Sequence, residues 1–108
     1  MTATMEATVT WRAGLVLDGQ SGTGHNVTMD GNKEVAASPM ELVLMAAGGC
    51  SSVDVVSILQ KARQQVVGVQ CQVKGERADA VPAVFTKIHL HFVVRGTNIA
   101  EQHVERAV

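Results

Sequence analysis

Aromatic side chains are scarce in this 108-residue chain: one Trp, two Phe and no Tyr, 3% in all. That excludes a surface built to stack nucleic-acid bases. Neither sign of charge is in excess, with nine Lys and Arg against ten Asp and Glu. A general electrostatic grip on nucleic acid or an anionic membrane is excluded with it. Two cysteines are too few to staple a small secreted fold. The longest unbroken apolar run, Leu42 to Cys50, has nine residues and includes Gly48 and Gly49, against about 20 for a spanning helix. The first six residues, Met1 to Glu6, lack the basic and apolar regions of a signal peptide. These absences predict a cytoplasmic protein with reduced thiols, no nucleic-acid partner and no membrane partner. No phosphate loop, paired catalytic carboxylates or Ser-His-Asp signature is visible, and neither a cofactor nor a metal is expected.

What the chain does have is apolar volume from Val, Ala, Leu and Met, enough for one domain over residues 1–108. Its first third reads as an antiparallel meander of three strands. Thr4 to Trp11 places Ala7, Val9 and Trp11 on one side. Leu15 to Leu17 is a short run closed by an Asp18-Gly19 turn, and Ser21 to Gly24 forms the next turn. His25 to Met29 is the third strand, closed by Asp30-Gly31-Asn32.

The middle third is helical. Ser38-Pro39-Met40-Glu41 is a capping box, with Ser at N-cap, Pro at N1 and Glu at N3. The helix is predicted to run to Gln65, about 27 residues or roughly 40 Å. The last third returns to strands. Val67, Val69, Cys71 and Val73 alternate with polar neighbours. Gly75 to Pro82 reads as a polar connection. Val84 to Arg95 then sets Ile88, Leu90 and Phe92 against Lys87, His89 and His91. Asn98 can cap a final helix from Ile99, which stops at Val108 after about three turns.

Chemistry centres on Cys50, which follows two glycines that each cost a helix about 1 kcal/mol relative to Ala. A bend or restart there would free N–H groups and lower the thiol pKa; a tight helix crossing with a buried, inert Cys is the other reading. Asp54 lies at i+4 from Cys50, where a carboxylate opposes thiolate formation. Glu41 is nine residues before Cys50, so on a straight helix it points to the opposite side, about 13 Å away. It either serves the cap alone or acts on the thiol of another subunit. Cys71 sits on the apolar side of its strand and reads as packing, with a bridge to Cys50 left open. His89 and His91 share a strand face, but two ligands do not make a metal site, and His25 and His103 stand apart.

Two segments carry a family resemblance: Ser38-Pro39-Met40-Glu41-Leu42-Val43, and Ala46-Ala47-Gly48-Gly49-Cys50-Ser51-Ser52-Val53-Asp54. Together they resemble the central helix of OsmC/Ohr-like proteins. Gly24 to Asn32, Val55 to Lys61 and Phe85 to Phe92 fit an OsmC-like subgroup as well. The resemblance implies an α+β fold with a long central helix, in an intertwined homodimer with thiol sites at the subunit interface. It also implies thiol-dependent reduction of small organic hydroperoxides, with an external dithiol as reductant. Cys50 matches the peroxide-attacking Cys, and Glu41 the carboxylate contributed across the dimer. Two features depart from the peroxidase pattern. Val27 to Asp30, in the strand before the helix, holds no Arg to pair with a thiolate. The family's second, resolving Cys belongs to a C-terminal helix of which this chain holds only the start. The alternative expectation is a dimer that binds a small apolar ligand without catalysis.

Overall fold

A computed structural model describes residues 4–79 and 85–97 of the chain. The element order is β1 (Ala7–Ala13), β2 (Val16–Ser21), β3 (Asn26–Asp30), α1 (Pro39–Lys61), β4 (Gln65–Arg77) and β5 (Phe85–Thr97). This is the mixed α+β architecture that the sequence predicts. The final helix expected from Asn98, and His103 within it, lie outside the described residues, as does the connection through Pro82. The chain divides into two compact units, Met1–Leu42 and Val43–Val108, and each is described in turn.

The first unit holds a three-stranded antiparallel sheet in the order β1-β2-β3. Register puts Val9, Gly19 and Val27 in one row and Trp11, Leu17 and Met29 in the next. These rows share one apolar face, while Thr10, Asp18 and Thr28 occupy the polar face. On that polar face Arg12 forms a two-point ion pair with Asp18, Nε to Oδ2 at 2.9 Å, and Thr28 donates to Asp18 Oδ1 at 3.1 Å. The Arg12 guanidinium, followed by the Thr28 hydroxyl, holds the Asp18 carboxyl below the usual carboxylate range against the opposing effect of burial.

The Asp18-Gly19 turn is not present: β2 runs straight through both residues. The chain reverses at Gly14-Leu15 instead, where Gly14 takes φ +56° and accepts a hydrogen bond from Trp11 Nε1 at 2.9 Å. A glycine free to enter the left-handed region outcompetes an Asp-Gly pair whose aspartate is held in the sheet by Arg12.

In the second unit α1 lies on a two-stranded ribbon, β4 paired antiparallel with β5 along nearly their whole lengths. Gly48, Val55 and Leu59 are the buried helix residues. Their spacing of seven and four puts them on one stripe. Val66, Val69, Phe92 and Val94 pack against Val55 and Leu59 from the ribbon. Gly48 is the point of closest approach: a Cβ there would lie 2.6 Å from Val73 Cγ2 and 3.7 Å from Cys71 Sγ.

The helix ends at Lys61 rather than near Gln65. Arg63 adopts φ +59°; its N–H bonds the Gln60 carbonyl at 3.0 Å, and the Gln64 N–H bonds the Leu59 carbonyl at 2.9 Å. This is a Schellman termination with Arg in the position glycine usually takes, so no glycine marks it in the sequence. Two further expectations change. Gly75 belongs to β4, which continues to Arg77. Val67, expected on the inward side, is 79% exposed because the register shifts between Val66 and Gly68. An extra residue in a strand turns the residues before it to the other face.

By its 23 residues and its composition α1 also passes the test for a membrane-crossing helix, which the nine-residue run alone did not suggest. Core helices of water-soluble folds pass the same test.

Adding a methyl group at Gly48 tests the contact with Val73. Helix propensity alone would stabilise Gly48→Ala by about 1 kcal/mol. Overpacking costs about 1–3 kcal/mol, and a β-branched Val cannot swing away freely. The expected outcome is a net loss of stability in urea unfolding that shrinks when Val73→Ala is combined with it.

Candidate functional site

The segment that leads into α1 is organised by one carboxylate. Asp30, at the end of β3, is only 3% exposed. It accepts N–H hydrogen bonds from Asn32 at 2.8 Å and from Glu34 and Val35, each at 3.1 Å. The Val35 and Asn32 N–H groups, with Glu34, hold its carboxyl below the usual range although burial pushes the other way. The Asp30 backbone also bonds the Ala37 carbonyl and the Lys33 N–H, both at 3.0 Å. Lys33, inside this loop, takes φ +60°.

The capping box is reciprocal, as the spacing predicts. The Ser38 N–H donates to Glu41 Oε1 at 2.9 Å, and the Glu41 N–H donates to Ser38 Oγ at 3.2 Å. The Ser38 N–H, then its hydroxyl, lower the Glu41 carboxyl against the cost of burial; nearby Lys33 adds to the effect. Glu41 is therefore a carboxylate fixed in place at the start of the helix.

Cys50 belongs to the second unit. It is exposed and its thiol is free. The helix does not restart at Gly48-Gly49: α1 is one element from Pro39 to Lys61. The N–H groups around Cys50 are thus committed to the helix, and the thiol lies too far from either end to gain from the dipole. The residue at the tight crossing is Gly48, not Cys50. At about 100° per residue, Cys50 lies roughly 200° around the axis from Gly48, on the side away from the ribbon.

Val43, Ala46, Val53 and Asp54 share that side and are exposed, Val53 to 68%. No atom would meet a Cβ on Gly49 within 4 Å. The site is an open apolar stripe with a thiol at its middle and a carboxylate at its edge. Cys71 is half-buried and free on the opposite side of the helix, beside Gly48. Cys71 points from β4 towards α1 and Cys50 points away from the ribbon, so α1 itself stands between the thiols.

His89 and His91 are exposed on β5, and His25 lies in the β2–β3 turn with Nδ1 2.9 Å from Thr23 Oγ1. No group of three or more His, Cys, Asp or Glu side chains able to hold a metal occurs among the described residues. Sequence reasoning missed Asp30 and the distinct roles of the two glycines. Asp30 read only as part of a turn, and two adjacent glycines carry no mark of which faces the sheet.

Residues 30–108 match the OsmC-like protein family, and the chain belongs to it. It is 52% identical over 105 residues to Protein YhfA of Escherichia coli K12, covering 96% of this chain and 78% of YhfA. An OsmC-like protein from Mycoplasma pneumoniae superposes with a TM-score of 0.83 at 14% identity, over 99% of this chain and 79% of that one. The organic hydroperoxide resistance protein OhrB of Bacillus subtilis gives 0.56 at 15% identity, over 97% and 80%. The last two share the fold. The OsmC-like α+β fold expected from the central-helix segments is the fold observed.

Acidification tests the Asp30 carboxylate. Its folded value lies below the unfolded value of about 3.9, so its contribution to stability is present above that pH. It is lost as pH falls through the folded value. Asp30→Asn does not titrate. The stability gap between wild type and this variant, read as urea midpoints, should be widest near neutrality and narrow below about pH 4. A gap that widens on acidification would contradict this account.

Proposed function

We propose that this protein is a thiol-dependent reductant of small organic hydroperoxides, with Cys50 as the attacking group. The observation that carries the reading is the free, exposed Cys50 thiol in the middle of an exposed apolar stripe. Such a stripe suits a peroxide with an alkyl body. The Cys50 thiolate attacks one peroxide oxygen, the O–O bond breaks, and the alkoxide takes a proton and leaves as an alcohol. Cys50 is left as a sulfenic acid. With Cys71 on the far side of α1, the sulfenic acid is reduced by an external dithiol: the first thiol gives a mixed disulfide and water, and the second releases Cys50.

The assembly we propose is a homodimer. The apolar sheet face leaves Trp11 68% and Val9 58% exposed, and the Cys50 stripe is similarly open. Val55 and Leu59 are the fully buried apolar side chains among the described residues. Apolar surface left open in this way, on each unit taken by itself, marks a site of association. A second copy would cover it and bring Glu41 of one protomer towards Cys50 of the other. Two free thiols fit a cytoplasmic setting.

Val27 to Asp30 hold no Arg to pair with a thiolate, which favours a second reading: a dimer that holds a small apolar ligand on the same stripe without catalysis. One experiment separates the two. Reduced protein is mixed with cumene hydroperoxide and Cys50 is followed by mass spectrometry with dimedone trapping. A peroxidase oxidises Cys50 at least about tenfold faster than a free thiol, and Cys50→Ser abolishes trapping there. Oxidation no faster than that of a model thiol leaves the ligand-binding reading.

Glu41→Gln keeps a side chain that can close the capping box but removes the charge. It should slow the oxidation at a small cost in stability, about 1 kcal/mol or less, from the charge lost at the helix N-terminus. Light scattering should give twice the chain mass; a monomer at micromolar concentration would overturn the dimer.

A further inference from the structure

The β4–β5 ribbon has a second face, turned away from α1, that the thiol chemistry does not use. Register places Gly68 opposite Arg95, Gln72 opposite His91, Lys74 opposite His89 and Glu76 opposite Lys87. Side chains of directly paired residues share a face. Apart from Gly68, all of these residues are exposed, and the Arg95 guanidinium lies across Gly68, 3.4 Å from where a Cβ would stand.

This face carries Lys74, Lys87 and Arg95, three of the chain's nine Lys and Arg, with two of its four histidines. Glu76 is the one acid among them, of ten in the chain. A chain with a net charge of −1 thus concentrates positive charge on one side of one ribbon.

The local arrangement is more pointed than the total. Glu76 lies directly opposite Lys87, an unlike-charge pairing across the ribbon. Lys74 lies directly opposite His89, and its diagonal neighbours across the ribbon are Lys87 and His91. Lys74 and Lys87 are like charges held close on one face, which is unfavourable. A bound anion would turn that repulsion into attraction. Between these residues the surface sinks into a depression of about 250 Å³, lined by Lys74, Glu76, Lys87 and His89. Lys offers three donors and His one or two, so an oxyanion seated there can be bonded from both strands.

We propose that this depression binds a small, multiply charged oxyanion, a phosphate- or polycarboxylate-bearing molecule, held between Lys74 and His89. Glu76 forms the rim and repels longer acidic chains from that end. Gln72 and His91 extend the donor row along the ribbon as far as the Gln70–Val93 pair. The groups that face the anion from β4 are Lys74 and Glu76, and from β5 Lys87, His89 and His91.

The test uses the full chain labelled with ¹⁵N, titrated with sodium pyrophosphate at ionic strength held constant with sodium chloride. The expected result is a saturable change confined to amides in 70–76 and 87–91. It should be at least about fivefold weaker in Lys74→Gln/Lys87→Gln. Both lysines are exposed, and circular dichroism would check that the variant stays folded. Parallel titrations with citrate and with phosphatidylserine vesicles identify the source of the charge: tighter citrate binding assigns a carboxylate ligand, tighter pyrophosphate binding a phosphate. Changes reproduced by chloride alone, changes located elsewhere, or binding to vesicles without binding of either small anion would overturn the proposal.

Discussion

The contact between Gly48 and Val73 sets the rotation of α1 on its ribbon, and most of the second unit follows from it. A side chain at position 48 would push the helix off β4. Without one, the axis comes close enough for Val55 and Leu59 to reach Val66, Val69, Phe92 and Val94. Once those residues face the ribbon, the helical repeat leaves no freedom for Cys50: it must point outward. The exposure of the thiol is a packing result rather than a local property of the cysteine.

The start of the helix is governed separately. Asp30 satisfies three backbone N–H groups within five residues, and the loop it gathers delivers Ser38 to the N-cap position. Glu41 is then fixed from both ends of its short reach, by its own backbone and by the Ser38 N–H. A carboxylate bound in this way keeps its charge and its direction, which a free surface glutamate would not. The two features marked in the sequence as sites are thus held by different devices: a buried anion for Glu41 and a missing side chain for Cys50.

Much of this was legible beforehand because the relevant signals are local. The capping box is four residues long and behaves as its spacing says. The alternation in β4 and β5 gave the half-buried face of Val69, Cys71, Val73, Leu90 and Phe92. What could not be read depends on one element choosing among neighbours. The Asp18-Gly19 pair has turn composition, but Arg12 and Thr28 keep Asp18 in the sheet. Arg63 ends the helix in a conformation that its identity does not announce. Val67 obeys the alternation in sequence and violates it in space, because a bulge is visible only once two strands are aligned. Of the site, the residue identities were readable but the side of the helix each occupies was not, since that required knowing which glycine meets the sheet.

An unbroken α1 has one more consequence. Every backbone donor in the turn that carries Cys50 is already bonded within the helix, so the chain around the sulfur has no spare hydrogen bond for an anion formed there. Whatever stabilises a thiolate must arrive from a surface laid against the stripe. The thiol is therefore a tunable group whose electronic environment is external to its own helix: residues facing it across a contact can change its reactivity while Gly48, Val55 and Leu59 preserve the scaffold untouched.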